Sequence, residues 1–377
     1  MSASSGERIV AGVKRLLARL TTATVVERIA IAGASAGLAL LIGILIVGVA
    51  GYDPARFAVQ LAVGAFGTER AVARTLRFST LFILAGVAVA VAFRAGVFNI
   101  GVQGQFVVGG LASVVAIVWA APALPVGPVG GVLLIGFGLL VAMVAGGLYG
   151  ALPGALKAYA DANEIITTIM LNFIAIGVGG WLVGGRLRGA DATSVRTERL
   201  PEYVTFPRIV FDDPNFSIVG LGLALVVVVV VAFLMTKINA GYDMVTSGIQ
   251  ASAARYSGVN AKRTIVTTMT LSGMIAGIAG AVFAIMIQGY FTDPSGIGSY
   301  GFDAIAVSLL AANNPIGVVP AALLFGGLNS AGSHIQIASN VPVQLIDGII
   351  GLVVLFVAAP ELFRMAALRL GITGDDR

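Results

Sequence analysis

Long stretches without a charged residue dominate the chain and predict helices that cross a membrane. A helix needs about 20 mainly apolar residues to span a bilayer. The longest uncharged stretch, residues 95–156, is interrupted by a group of three prolines, and residues 304–346 are interrupted by Pro315 and Pro320. The predicted spans are residues 29–52, 78–93, two within 95–156, 165–185, 214–236, 264–292, two within 304–346, and 343–363. We therefore expect an all-α fold, a polytopic transmembrane helical bundle of about ten spans.

The basic residues indicate how this bundle is oriented. Ten spans place both ends on the same side, where 14 of the 23 Lys and Arg residues fall, with nine on the opposite side. Because cytoplasmic loops carry the excess of positive charge, we expect a cytoplasmic N-terminal segment (1–28), a transmembrane domain (29–363) and a cytoplasmic C-terminal tail (364–377). Residues 186–215 then form an outer loop, and residues 237–263 form a basic inner loop.

The composition excludes several classes of protein. Hydrophobic residues make up 58% of the chain and charged residues 11%, against about 25% charged in average soluble proteins. An ordinary soluble enzyme, a disordered tail and a nucleic-acid-binding module are therefore excluded. With no Cys and one His, the chain offers no disulfide, no reactive thiolate and no Cys-based or His-based metal centre. We expect an integral protein of the cell membrane, with lipid around it and no nucleic-acid partner.

The sequence also lacks an energy source for transport. No Lys follows a Gly anywhere in the chain, so the P-loop motif that cradles ATP phosphates is absent. Ion-coupled carriers keep charged residues in their spans, and here the acids considered for such a role are Asp303 and Asp347. Asp303 is interpreted as a helix N-cap, and Asp347 as lying near the outer interface. We expect no catalytic residue, no metal and no cofactor in this chain.

Neutral polar residues within the spans are the candidates for a translocation pathway. Asn99 and Gln103 lie four residues apart among glycines, a pattern that predicts one shared face of a glycine-broken helix lining a cavity. The alternative is that these side chains form interhelical hydrogen bonds that hold the bundle together. The candidate pathway residues are Asn99, Gln103, Gln105, Asn172, Gln288 and Asn313. Replacing Asn99 or Gln103 by Ala is expected to lower uptake without changing the amount of folded protein.

Three stretches of the sequence resemble a known family. They are residues 93–105 (FRAGVFNIGVQGQ), residues 163–172 (NEIITTIMLN), and residues 241–277, which include AARYSGV and LSGMIAG. Together they resemble the inner-membrane permeases of ABC importers of the branched-chain amino acid/ribose class, most closely the nucleoside and simple-sugar permeases. The resemblance extends over about residues 76–360.

The resemblance implies a transport subunit rather than an enzyme. It implies the fold of a type II-like ABC importer permease, with residues 29–363 as the permease domain. Its expected substrate is a neutral nucleoside-like or simple-sugar-like solute. The expected partners are an ABC ATPase subunit that uses ATP, a second permease subunit, identical or homologous, and an extracytoplasmic substrate-binding lipoprotein. The alternatives are a branched-chain amino acid permease of the same family and a stand-alone secondary carrier.

One position departs from the pattern of the family. The usual motif reads Asn-Ile-Gly-x-Glu-Gly-Gln, and Gln103 stands where the acidic residue is expected. If that carboxylate gates the pathway or reads the substrate, its role is reduced to hydrogen bonding in this chain.

The inner loop contains the segment that we expect to contact the ATPase. Gly248 and Gly258 bracket a run of good helix formers with a small-residue face, and this run coincides with the alanine-rich cytoplasmic motif of the family. The predicted coupling residues are Gln250, Ala251, Ala254, Arg255, Tyr256 and Gly258. The alternative is a solvated amphipathic connector. On the other side of the membrane, residues 186–215 are expected to meet the binding protein through their mixed charges.

Overall fold

The computed structural model describes residues 25–250, 254, 256, 258–339 and 341–369, and this part of the chain is almost entirely helical. Its helices are α1 (Val25–Val49), α2 (Pro54–Phe66), α3 (Glu69–Arg94), α4 (Val102–Ala120), α5 (Pro128–Ala160), α6 (Glu164–Gly184), α7 (Ile218–Lys237), α8 (Asn239–Ile249), α9 (Ala261–Val282), α10 (Tyr300–Leu310), α11 (Val318–Ser339) and α12 (Val343–Arg369). Within the described residues, β structure is limited to two isolated bridges. The predicted all-α fold is confirmed.

Six helices are long and apolar enough to cross a membrane, judged over the described residues. They are α3, α4, α5, α6, α7 and α9, and three shorter apolar helices cover residues 33–49, 300–310 and 344–357. The expected count of about ten spans is therefore not confirmed, although a multi-pass bundle is. The division of residues 95–156 is as predicted, because α4 ends at Ala120 and α5 begins at Pro128.

Two predicted spans differ from the helices that form. The span expected at 78–93 begins at Glu69, because the Thr68 side chain accepts a hydrogen bond from the Ala71 N–H and caps α3 there. The first span expected within 304–346 is only the 11-residue α10, which at 1.5 Å per residue is about 16 Å long and too short to cross a bilayer. Left-handed backbone at Ala312 and Asn313 follows it.

Helix α3 forms the centre of the bundle. Its residues 79–92 are all buried, and it packs against α9, α10, α11 and α7. Outside this centre, α12 packs against α1, and α11 packs against α2. The His334 ring on α11 lies 2.7 Å from the Gln60 side chain on α2, so that histidine joins two helices. The His334 side chain is half-buried at this place.

The loop between α6 and α7 is fixed to the segment that follows α9. Hydrogen bonds run from the Thr197 N–H to the Phe291 carbonyl (2.9 Å) and from the Leu200 N–H to the Gly289 carbonyl (2.8 Å). The Asp293 N–H donates to the Val195 carbonyl at 3.1 Å. The predicted outer loop, residues 186–215, is therefore tied by its backbone to the same end of the bundle as residues 289–293.

Glycines bring α5 and α9 into backbone contact. Gly146 and Gly150 lie one turn apart on α5 and face Gly273 and Gly277, one turn apart on α9. A methyl group added at Gly146 would lie 2.8 Å from the Gly277 Cα, and one added at Gly150 would lie 3.0 Å from the Gly273 Cα. Lipid is as apolar as a leucine side chain, so close packing of this kind is what holds membrane helices together.

We expect Gly146→Ala to destabilise the bundle, because the added methyl group meets backbone atoms that cannot turn aside. Overpacking of this kind costs about 1–3 kcal/mol. The measurement is the midpoint of thermal unfolding in detergent. Gly136→Ala is the matched control on the same helix, since no atom lies within 4 Å of the added methyl group. Equal midpoints for the two variants would contradict the packing described here.

Candidate functional site

The segment that joins α3 to α4 carries most of the predicted pathway residues. Helix α3 ends at Arg94, Gly96 adopts a left-handed conformation (φ +72°), and α4 begins only at Val102. Asn99 therefore lies before the helix, and Gln103 is its second residue. The expectation that these two residues share one helix face is wrong, because the break falls between them and their side chains contact different parts of the protein.

Asn99 is the centre of a buried hydrogen-bond network. Its Nδ2 donates to Gln105 Oε1 (2.9 Å) and to Ser272 Oγ (2.8 Å), and its Oδ1 accepts from Gln105 Nε2 (3.1 Å) and from the Gly101 N–H (3.0 Å). Ser272 Oγ donates in turn to the Ala88 carbonyl at 2.6 Å. All three polar side chains are at most 1% exposed. The network joins α3, the 95–101 segment, α4 and α9.

Asn172 completes the start of α4 from a neighbouring helix. Its Oδ1 accepts from the Gly104 N–H (2.7 Å), and its Nδ2 donates to the Ile100 carbonyl (2.9 Å). Gly101, the N-cap residue of α4, has no side chain that could supply these bonds. The first N–H groups of a helix have no partner within it, so the amide of Asn172 on α6 supplies one from outside.

Gln103 connects α4 to the start of α10. Its Oε1 accepts from the Gly301 N–H at 2.7 Å, and its Nε2 donates to the Gly298 carbonyl at 3.1 Å. The side chain is 2% exposed. An ionised glutamate, the residue usual in the resembling family, could accept the first bond but could not donate the second. The amide thus fits both backbone groups.

The two remaining pathway candidates lie elsewhere. Gln288 ends a π-helical segment, Phe283–Gln288, that continues α9, and it lines a cavity of about 370 Å³ together with Arg199, Glu202 and Arg208. Asn313 lies in the turn between α10 and α11, where its Oδ1 accepts from the Ser308 hydroxyl at 2.9 Å. The structure brings four of the six predicted residues together and leaves these two apart. Their role in a pathway stays a prediction.

The predicted coupling segment follows a helix that the sequence pattern did not indicate, α8. At the end of α8, the Gln250 N–H donates to the Thr246 carbonyl at 3.0 Å. The Ala254 N–H donates to the Gln250 carbonyl at 3.1 Å. Tyr256 is 99% exposed, whereas Ala254 is fully buried. Contrary to expectation, this chain itself covers the Ala254 side chain, so only Tyr256 of these two is free to meet a partner.

The remaining predicted coupling residues, Gly258, Ala251 and Arg255, give no further information about a contact with the ATPase. Gly258 has left-handed backbone (φ +86°). Ala251 and Arg255 lie outside the described residues. The coupling role of the segment stays a prediction.

Two features of the site were missed or misplaced in the sequence analysis. Ser272 was not a candidate, although a hydroxyl among the apolar residues of a span is a signal for a buried hydrogen bond. Asp303 is not an N-cap: Ser299 occupies that position, and Asp303 lies in the first turn of α10, where its Oδ2 accepts from the Ser299 hydroxyl at 3.0 Å. A sequence pattern locates a helix start only to within a few residues, which explains the shift.

Aromatic rings surround the start of α10. The Tyr300 ring lies 5.8 Å from those of Phe82 and Phe283 and 6.0 Å from that of Phe106, measured between centroids. These rings come from α3, α4 and the π-helical segment. These contacts hold Tyr300 in place. Because Tyr300 precedes Gly301, they also fix the backbone N–H that donates to Gln103.

The long apolar helices and the uncharged hydrogen-bond network at their centre define a multi-pass membrane protein. The family described as "Branched-chain amino acid transport system / permease component" matches residues 71–358, and the chain belongs to this family of permeases. The resemblance noted in the sequence is thus confirmed.

Among individual proteins, the chain is similar to permeases for nucleosides and for a sugar. The chain is 36% identical over 328 residues to the guanosine ABC transporter permease protein NupP of Bacillus subtilis (strain 168), covering 87% of this chain and 92% of that protein. It is 30% identical over 325 residues to the nucleoside ABC transporter permease protein NupB of Lactococcus lactis subsp. cremoris (strain MG1363), covering 84% of this chain and 87% of that protein. It is 33% identical over 328 residues to the glucose ABC transporter permease protein TsgB13 of Haloferax volcanii, covering 85% of this chain and 82% of that protein.

We expect Asn99→Ala to lower the stability of the fold, because it leaves the Gly101 N–H and the Gln105 amide without their partner. A buried polar group left unpaired costs about 1–3 kcal/mol. Gln105→Ala removes part of the same network, so the losses of the two variants should not add in the double variant. The measurement is the midpoint of thermal unfolding in detergent.

Asn329→Ala is the matched control, because the Asn329 amide donates only to the Phe325 carbonyl of its own helix. The interpretation as a structural network fails if Asn99→Ala unfolds like the parent protein. Such a variant with lowered uptake would support a direct role in the pathway, as first expected from the sequence.

Proposed function

We propose that this chain is the transmembrane permease subunit of an ABC importer and forms the translocation pathway for a neutral nucleoside-like or simple-sugar-like solute. The observation that carries the proposal is the 36% identity to the guanosine permease NupP over 87% of this chain and 92% of that relative. The glucose permease TsgB13 supports the inclusion of simple sugars, because it too matches over most of both chains.

The chemistry of the bundle centre supports a neutral solute. Asn99, Gln103, Gln105 and Asn172 are amides, each able to donate and to accept, and all are buried. Sugar hydroxyls and nucleobase edges need that same combination of donor and acceptor. A zwitterionic amino acid would need a site for both charges, and charged groups inside a membrane are costly.

The proposed pathway comprises the amides around the start of α4, with Gln288 and Asn313 at its margins. Gln288 faces a cavity of about 370 Å³, a size in the range of small-molecule sites. A change of conformation would be needed to release the amides around α4 from their present partners and offer them to a solute.

The proposed topology has ten transmembrane elements with both termini inside. Adding α1, α10, α11 and α12 to the six long apolar helices gives that number, with α10 as a half-length element. The peripheral helices α2 and α8 would lie at opposite ends of the bundle. The distribution of Lys and Arg supports this orientation.

The proposed partners follow from the absent P-loop and from the relatives. An ABC ATPase subunit would use ATP, the cofactor that this chain has no motif to bind. A second permease is supported by a pair of relatives in Bacillus subtilis: the chain matches NupP and also, at 27% identity over 283 residues, the guanosine ABC transporter permease protein NupQ. A substrate-binding lipoprotein would dock on residues 186–215.

We expect uptake into proteoliposomes only when the chain is assembled with its ATPase and internal ATP is present. Radiolabelled guanosine, glucose and leucine are the probe solutes, and an assembly whose ATPase lacks its P-loop lysine is the control. Guanosine or glucose should be taken up in preference to leucine. Preferred uptake of leucine would favour the amino-acid alternative. Uptake by this chain alone, driven by a proton or sodium gradient, would favour the secondary carrier.

We expect Ser194→Cys to react with a membrane-impermeant maleimide on intact cells. Ser194 is exposed in the loop 186–215, and the parent chain contains no Cys that could react. Tyr256→Cys is the matched control at a 99% exposed position in the inner loop, and it should react only after the cells are opened. The reverse pattern would invert the proposed orientation.

A further inference from the structure

Helix α8 rests directly on the turn that ends α3. Gly248 lies close to the end of α8, and a methyl group added there would lie 2.7 Å from the Arg94 carbonyl oxygen and 2.7 Å from the Gly96 nitrogen. From the other side, a methyl group added at Gly96 would lie 2.8 Å from the Gly248 Cα. The two segments therefore touch through their backbones, with no side chain between them.

The same turn leads directly to the hydrogen-bond network. Asn99 is the third residue after Gly96, and it binds Gln105 on α4 and Ser272 on α9. The Val97 N–H holds the turn to α3 by donating to the Ala92 carbonyl at 3.0 Å. A displacement of α8 towards this turn would therefore reach the buried amides without passing through a flexible side chain.

This backbone contact accounts for the lack of a side chain at both Gly96 and Gly248. Gly96 has the left-handed backbone that glycine adopts without strain. Gly248 is helical, and alanine would be preferred over glycine in a helix, so its own conformation does not require glycine. What requires the missing side chain is the backbone of residues 94–96 lying against it.

A buried hydroxyl on the residue before Gly248 has no partner. Ser247 Oγ is enclosed and makes no hydrogen bond, whereas buried polar groups are normally paired. A hydroxyl left unpaired in one arrangement and paired in another would favour the second arrangement. The unpaired Ser247 hydroxyl is thus a second observation, separate from the glycine contact, that points to this part of α8.

We infer that the contact between Gly248 and Gly96 transmits movement between the inner loop and the amide network at the start of α4, with Gly248 as a positioning residue for coupling. The inference rests on the proposed function, because the movement comes from the ATPase that binds the inner loop. In this arrangement α8 moves as the ATPase opens and closes. Gly248 carries that movement to the turn at Gly96, and Asn99 passes it to α4 and α9.

The test is Gly248→Ala in the full complex with ATPase, second permease and binding protein, reconstituted in liposomes. The quantity measured is the number of ATP molecules hydrolysed per molecule of guanosine or glucose taken up. A merely structural loss lowers the amount of complex and leaves this ratio unchanged. We expect the ratio to rise at least tenfold, with the amount of complex within twofold of the parent.

Gly222→Ala on α7 is the matched control, because no atom lies within 4 Å of the added methyl group. It should keep the parent ratio. A Gly248→Ala ratio within twofold of the parent overturns the inference, and so does a loss of complex with an unchanged ratio.

Ser247→Ala decides the case in which Gly248→Ala yields no complex. It removes no bond present in this structure, so it should assemble normally and change the ratio at least twofold. A parent-like ratio would then overturn the inference. A parent complex that hydrolyses ATP and moves neither solute contradicts the proposed function itself. A transporting parent with unaltered variants contradicts only the transmission contact.

Discussion

The arrangement of this protein depends on how the first turn of α4 finds hydrogen-bond partners away from water. Residues 101–107 are all buried, and a helix start in such a place cannot be satisfied by solvent. The partners are side-chain amides: Asn99 for the Gly101 N–H and Asn172 for the Gly104 N–H. Since these amides come from different segments, satisfying one helix start fixes the relative positions of α3, α4, α6 and α9.

Close backbone packing is the second constraint, and it follows from the apolar surroundings. Between helices in lipid there is little hydrophobic drive, so contact area and polar bonds decide association. The glycine contact between α5 and α9 holds the helix that carries Ser272 against the bundle. Ser272 can then complete the Asn99 network only because α9 approaches closely enough, so the small residues and the polar residues act together.

The sequence predicted the features that depend on local chemistry. The interruption by prolines between α4 and α5 and the bounds of α6, expected at 165–185 and found at Glu164–Gly184, follow from residue types alone. A helix broken by glycines was also predicted, but the place of the break between Asn99 and Gln103, the short α10 and the buried state of Ala254 depend on what lies opposite in space. Nothing near Asn99 in the sequence indicates that Ser272, 173 residues away, receives its hydrogen bond. The convergence of Asn99, Gln105 and Asn172 could be suspected as helix packing, but their individual partners could not.

The amide at position 103 also determines how its own two hydrogen bonds respond to acidity. The two bonds of Gln103, one accepted from Gly301 and one donated to Gly298, involve a group that does not titrate at any pH a cell encounters. A carboxyl group in its place would need to gain a proton to form the second bond and would lose it again as the surroundings became alkaline. These two bonds between α4 and the start of α10 are therefore indifferent to proton concentration in this protein.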